Sequence, residues 1–233
     1  MMLISEFLPN VRSGEIFHLQ SPEIFQPMFQ LFSNCFGKAL KTDEPFKDVF
    51  DTLSWEQFDV SLNTVVSELD ASKEHYKLFS NILFKNGVTD ELVLIITLDK
   101  SIRLCLSNRG KKNYGYFIHR DSWFDLPPDG INFVFYLTAV PYNGNTVFFP
   151  EFFKTNMPYD KKTRRLIDES SLTRTTSYNC RSGDVLVFAG DHLHGGALLD
   201  VSRFSVEFRL SQLPNYGRKN EGIYYRSIRD FLS

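Results

Sequence analysis

From about residue 88 the chain turns into a succession of short β-like runs broken by turn residues: "ELVLIITLD", "SIRLCLS", "YGYFIH", "GINFVFYLTAV", "GNTVFFP", "GDVLVFAG" and "SRFSVEFRLSQ". Apolar runs of this kind, bounded by Gly, Pro, Asn and Asp, read as strands. Almost no helical pattern lies between them, which argues for an antiparallel sandwich or barrel rather than a parallel sheet with crossover helices. Asp99-Lys100 separates the first two runs as a hairpin-like pair, and Asn143 opens a turn signal at "NGNT". A longer charged insertion falls near residues 154–178, and no internal repeat is present.

The part of the chain before this, residues 15–85, has helical texture. In "SPEIFQPMFQLFSNCFGKAL", Ser21 reads as an N-cap with Pro22 just inside it. Phe25, Met28, Phe29, Phe32 and Phe36 follow at three- and four-residue steps and predict one apolar face. In "SWEQFDVSLNTVVSELD", Ser54 is a second cap, and Phe58, Leu62, Val65, Val66 and Leu69 form a second stripe. Both stripes are core faces. His18 and His75 lie in this half, away from every motif, and read as surface or packing residues. No linker rich in Pro, Gly or Ser divides the halves, so both belong to one domain.

Composition bounds the function. With 26 basic and 28 acidic residues the net charge is −2, which forces no broad basic face and makes nucleic acid a poor partner. The run Asp160–Arg165 is basic but short, and reads as a solvated loop or helix face. The 23 phenylalanines predict a thick aromatic core. Cys35, Cys105 and Cys180 are odd in number and far apart, so they form neither a disulfide framework nor a zinc motif and read as small buried residues in a reducing compartment. No signal peptide and no membrane-spanning run is apparent, and a soluble cytoplasmic protein is expected.

The stretch "YFIHRDSWFD" sets His119 two residues before Asp121 inside an aromatic run. A carboxylate buried there needs a partner. If the segment is extended, both side chains point to the same side, and an imidazole with a carboxylate suits a divalent metal. The tripeptide alone fits better a surface His beside a turn-capping Asp.

"GDVLVFAGDHLHGG" adds further histidines. Gly183-Asp184 reads as a tight turn opening a strand. Val185, Val187 and Ala189 then face one way and Leu186 and Phe188 the other. The strand ends at Gly190-Asp191, and His194 starts the next element, before glycines that let backbone approach a crowded site. Two histidines and a carboxylate form the facial triad of non-haem Fe(II) oxygenases. In "SRFSVEFRL", Phe204, Val206, Phe208 and Leu210 face apolar material, while Arg203, Ser205, Glu207 and Arg209 face inward. An inward Arg with a Ser two residues on offers a fork and a hydroxyl to a carboxylate.

Taken in order, "HRDSWF", "INFVFYL", "NGNTVFFP", "GDVLVF…HLHGG" and "RFSVEFR" resemble the Fe(II)/2-oxoglutarate-dependent dioxygenases of the phytanoyl-CoA dioxygenase-like group, which has members in antibiotic biosynthesis. The resemblance spans about residues 90–212. It implies a mainly β fold with added α: a double-stranded β-helix (jelly-roll, cupin-like) core, 88–212, flanked by a helical layer, 1–87, and closed by a loop and short helix, 213–233. It implies Fe(II) on His119, Asp121 and His194, and 2-oxoglutarate with its far carboxylate on Arg203 assisted by Ser205. Asn132 is either a further donor to 2-oxoglutarate or a structural amide. With O2 such a centre converts 2-oxoglutarate to succinate and CO2 while oxidising a C–H bond of a small-molecule, biosynthetic substrate. Related halogenases lack the carboxylate; Asp121 therefore implies hydroxylation or another oxygen-derived oxidation.

His192 competes with His194 as the distal ligand, and Arg209 competes with Arg203; spacing favours His194 and Arg203. Tyr116, Trp123 and Phe124 either wall the substrate cavity or pack in the core. Two other readings stand beside the oxygenase: a cupin-like metal-dependent isomerase or epimerase using His119 or His194 as acid/base, and a non-catalytic ligand-binding sandwich. Oligomeric state is not written in the sequence.

Overall fold

The computed structural model describes residues 3–42, 52–88, 93–97, 102–105, 117–140, 145–196, 203–213 and 223–232. Tyr116 and the expected turns at Asp99-Lys100 and Asn143 lie outside them, as do the side chains of Cys105 and Arg203.

The architecture is mixed α/β with antiparallel sheets. Among the described residues, four helices, α1 (Ile4–Arg12), α2 (Gln26–Leu40), α3 (Trp55–Ser72) and α4 (Glu74–Lys85), precede most of the strands. The strands are β1 (Phe17–Leu19), β2 (Val93–Thr97), β3 (Ile102–Cys105), β4 (Ile131–Tyr136), β5 (Thr146–Phe148), β6 (Tyr159–Asp160), β7 (Arg165–Leu166), β8 (Val185–Ala189), β9 (His194–Gly196), β10 (Arg203–Ser211) and β11 (Ile223–Ser227).

The main sheet runs β1-β8-β4-β10-β2-β11, with β3 also paired to β10, and all its pairings are antiparallel. A second layer pairs β5 with β9 and is widened by single bridges, His119 to His194 on one side and Phe148 to Thr176 on the other. Successive segments along the chain alternate between the two layers: β3 in the main sheet, the His119 segment in the second, β4 in the main sheet, β5 in the second.

Strand alternation separates the cores. Val185, Val187 and Ala189 of β8, with Phe204, Val206, Phe208 and Leu210 of β10, join the helices in one apolar cluster. Leu186 and Phe188 point the other way and meet Val134, Tyr136, Phe148 and Cys180 between the two layers. Both strands thus divide their faces as the sequence pattern predicts. The helix stripes land on the main sheet: Phe25 meets Phe135 edge-on at 5.1 Å, Phe36 meets Phe204 at 4.8 Å, and Phe79 meets Phe208 at 4.5 Å. Burial of each such ring contributes about 1.5–3 kcal/mol.

Several expectations change. Phe17–Leu19, inside the stretch read as helical, is a strand paired with Leu19↔Val185 through Phe17↔Val187. Ser21 is no helix cap: its φ is +40°, and its backbone N–H donates to Asp184 Oδ1 at 3.0 Å, while α2 begins only after the turn Glu23–Phe25. Ser54 does cap α3, accepting from the Gln57 N–H at 3.2 Å while Gln57 returns a bond to the Ser54 N–H at 2.9 Å. The C-terminal stretch supplies β11 at the sheet edge before its short helical turn, Ile228–Phe231. Among the described residues, no helix is long and apolar enough to cross a membrane.

Candidate metal centre

His119, Asp121 and His194 converge, each buried, with one candidate ligand atom apiece and all three atoms within 4.8 Å of one another. Two segments distant in sequence are brought together by the reciprocal bridge between His119 and His194, whose amides exchange bonds of 2.8 and 2.9 Å. Asp121 is not in a strand. It opens a 3-10 turn, Asp121–Phe124, and its own N–H is tied to the Gly190 carbonyl at 2.9 Å. The turn, rather than a shared strand face, brings Oδ1 to 3.8 Å from His119 Nε2.

The two imidazoles are oriented alike. His119 Nδ1 lies 2.9 Å from the Phe117 carbonyl, and His194 Nδ1 lies 2.8 Å from the His192 carbonyl. A carbonyl only accepts, so in the neutral ring Nδ1 carries the hydrogen and Nε2 keeps its lone pair for a cation. The ring centroids are 4.5 Å apart. Two glycines make room. A Cβ on Gly195 would sit 3.1 Å from the Phe117 carbonyl, and one on Gly190 would sit 3.1 Å from Asp121 Oδ2. The sequence marks Gly195 but gives no sign of the part Gly190 plays.

Asp121 is held from the main sheet. Asn132 Nδ2 donates to Oδ2 at 2.6 Å, and Arg209 Nη2 lies 3.5 Å from Oδ1. Arg209 Nε donates to Asn132 Oδ1 at 2.9 Å, and the same guanidinium pairs with Glu207. The register Arg209↔Asn132 places these side chains on one face of neighbouring strands. Of the two competing arginines it is therefore Arg209 that stands beside the triad. Arg203 begins the same strand six residues earlier, about 20 Å away at strand spacing. Ser205 is buried, opposite Tyr136.

His192 does not join the triad side chains. It is fully buried, packed 4.6 Å from the Phe153 ring, and burial pushes its pKa down to about 4. Its carbonyl, not its ring, serves the centre, by orienting His194. Trp123 packs away from the ligands, stacked on Tyr159 at 4.5 Å, whereas Phe124 stands edge-on to the His119 ring at 5.2 Å. His18 pairs with Asp184 at 2.9 Å, outside the centre.

No protein-family model matches the chain, and no curated protein matches it. Solved structures similar to it include apo HygX from Streptomyces hygroscopicus (13% identity, 99% of this chain and 100% of that one, TM-score 0.47). Others are the epimerase SnoN in complex with Fe3+, alpha ketoglutarate and nogalamycin RO (12% identity, 87% and 82%, TM-score 0.45) and the non-heme alpha ketoglutarate dependent carbocyclase SnoK from nogalamycin biosynthesis (12% identity, 89% and 83%, TM-score 0.44). Superposition this loose says nothing of chemistry in this chain, which rests on its own side chains.

Proposed function

We propose that this chain is a non-haem Fe(II)- and 2-oxoglutarate-dependent oxygenase that oxidises a small molecule on a double-stranded β-helix. One observation carries the reading: two buried imidazoles with their Nδ1 atoms spent on carbonyls aim Nε2 at the same space as the Asp121 carboxylate. Two nitrogens and one oxygen on one side of a cation leave its other positions open, which suits Fe(II) that must take up cosubstrate and O2. The strand order supports the fold, since segments alternate between two antiparallel layers, with His119 and His194 bridged in the second.

When bound, Fe(II) with 2-oxoglutarate and O2 supplies the oxidative decarboxylation to succinate and CO2 and the coupled C–H oxidation. The chain's own part is orientation and charge. His119 and His194 offer fixed, neutral donors. Asp121 supplies the single negative charge, and Asn132 keeps its Oδ2 from turning. Arg209 is engaged by Asp121, Asn132 and Glu207. We assign the far carboxylate of 2-oxoglutarate to Arg203 assisted by Ser205 on the order of the sequence motifs alone, with Arg209, 3.5 Å from Asp121 Oδ1, as the alternative. Phe148, Phe188 and Val134 keep the space between the layers apolar and limit water there.

The test is anaerobic addition of Fe(II) and 2-oxoglutarate, which should give a weak visible charge-transfer band, followed by O2, which should give succinate only when iron is present. Asp121→Ala should lose both. Turnover independent of iron or O2 would return the chain to the isomerase reading, and absence of any metal binding to the sandwich reading.

A further inference from the structure

The basic run Asp160–Arg165 forms the tip and return strand of the β6–β7 hairpin. This hairpin lies against the metal-binding segment. The Leu166 N–H donates to the Ile118 carbonyl at 3.1 Å, so β7 flanks the stretch that carries His119. Leu166 and Ile118 pack into the same outer cluster as Trp123 and Leu193, and Tyr159, directly across the hairpin from Leu166, stacks on Trp123. Successive strand residues point to opposite sides. Arg165 therefore projects to the face on which Phe117 and His119 lie.

Ring geometry agrees. The Arg165 Cζ stands 4.7 Å from the Phe117 ring centroid, and that ring is 5.1 Å from the His119 imidazole, so the guanidinium is one ring away from a triad member. The hairpin is fixed at both ends of the run. Arg164 pairs with Asp125, just past the Asp121 turn, at 3.1 Å. Asp160, across the hairpin from Arg165, turns its carboxylate to the tip amides of Lys162 and Thr163 at 2.7 and 3.1 Å. Among the described residues Arg165 makes no ion pair, and it is exposed. An arginine lying on an aromatic face keeps its in-plane N–H donors for a bidentate oxyanion.

We propose that Arg165 is a substrate-specificity residue: it binds an anionic group, carboxylate or phosphate, of the molecule presented to the metal centre, whose apolar or ring portion lies toward Phe117. The proposal rests on the oxygenase reading only for what happens to that molecule.

The experiment titrates phenyl phosphate and phenylacetate, with benzyl alcohol as uncharged control, into the full chain loaded with Mn(II) and excess 2-oxoglutarate, following probe resonances by NMR. Both anions should bind and be broadened by Mn(II). Arg165→Gln should weaken them about tenfold and leave benzyl alcohol unchanged, while Lys161→Gln, at the hairpin tip, should have no effect. The tighter of the two anions identifies the group recognised. Equal anion affinity in Arg165→Gln, no anion binding at all, or binding without broadening in Mn(II)-loaded protein each overturns the proposal. If the chain takes up no Mn(II), the oxygenase reading fails separately, and chemical-shift titration of the metal-free chain still decides whether Arg165 holds the anions.

Discussion

Asn132 donates to Oδ2 of Asp121 at 2.6 Å and so leaves Oδ1 as the oxygen turned toward His119. The amide is itself fixed, because its own oxygen accepts from Arg209 at 2.9 Å. Removing it frees the carboxylate to rotate toward the guanidinium. Asn132→Ala should therefore weaken metal binding by about 10- to 100-fold, the usual effect of losing a partner that orients a ligand. Titration of the metal-free chain with Co(II), read by its visible bands, measures this. An unchanged affinity would reduce Asn132 to a strand-packing residue.

Arg209 stands between two carboxylates, Asp121 and Glu207, and all three side chains are largely buried. Replacing it with Met leaves two neighbouring acids without their cation. Breaking such a pair from one side costs about 3–5 kcal/mol. A divalent cation would neutralise Asp121 and offset part of that loss. In urea denaturation, Arg209→Met should lower the stability of the metal-free chain more than that of the Mn(II)-loaded chain. An equal loss in both forms would remove Arg209 from the centre's electrostatics.

What could be read from the sequence followed the range of the forces involved. The inward and outward faces of β8 and β10 were legible because a period of two is local, and so was the Ser54 cap, closed within three residues. His119, Asp121 and His194 could be named as a set because each sits in a punctuated motif. The engagement of Arg209 was not legible, since it depends on the register that sets Arg209 opposite Asn132, seventy-seven residues earlier. Ser21 carried every local mark of a helix cap, yet Asp184, on the far side of the chain, takes its amide. Phe17–Leu19 has three residues and no pattern of its own; pairing with β8 alone makes it a strand.

Gly195 permits the contact on which the centre depends. A Cβ there would lie 3.1 Å from the Phe117 carbonyl and 3.3 Å from the Ile118 Cα, both backbone atoms with little freedom to move. Gly195→Ala should push β9 from the His119 segment and cost about 1–3 kcal/mol, as overpacking does. Because His194 rides on the displaced strand, metal affinity should fall as well, whereas a substitution of equal cost in the helical layer should leave affinity intact. Measuring both quantities on both variants distinguishes a local effect on the centre from general destabilisation.

His75 gives the helical layer a pH dependence that is independent of the metal centre. It is buried against Tyr76 and Phe208, and burial, aided by Lys73, pushes its pKa down to about 3. In the unfolded chain the ring titrates near its ordinary value of 6.5. Between these two values the unfolded state binds a proton that the folded state does not, so protonation favours unfolding. The contribution of a neutral His75 is thus complete above pH 6.5 and declines as the pH falls toward 3. His75→Leu removes this titration, and the loss of stability across that window should be shallower than in the parent chain. Urea midpoints taken from pH 7 downward on the metal-free proteins check it; parallel curves for the two proteins would mean that the ring gains its proton in the folded state as readily as in the unfolded one.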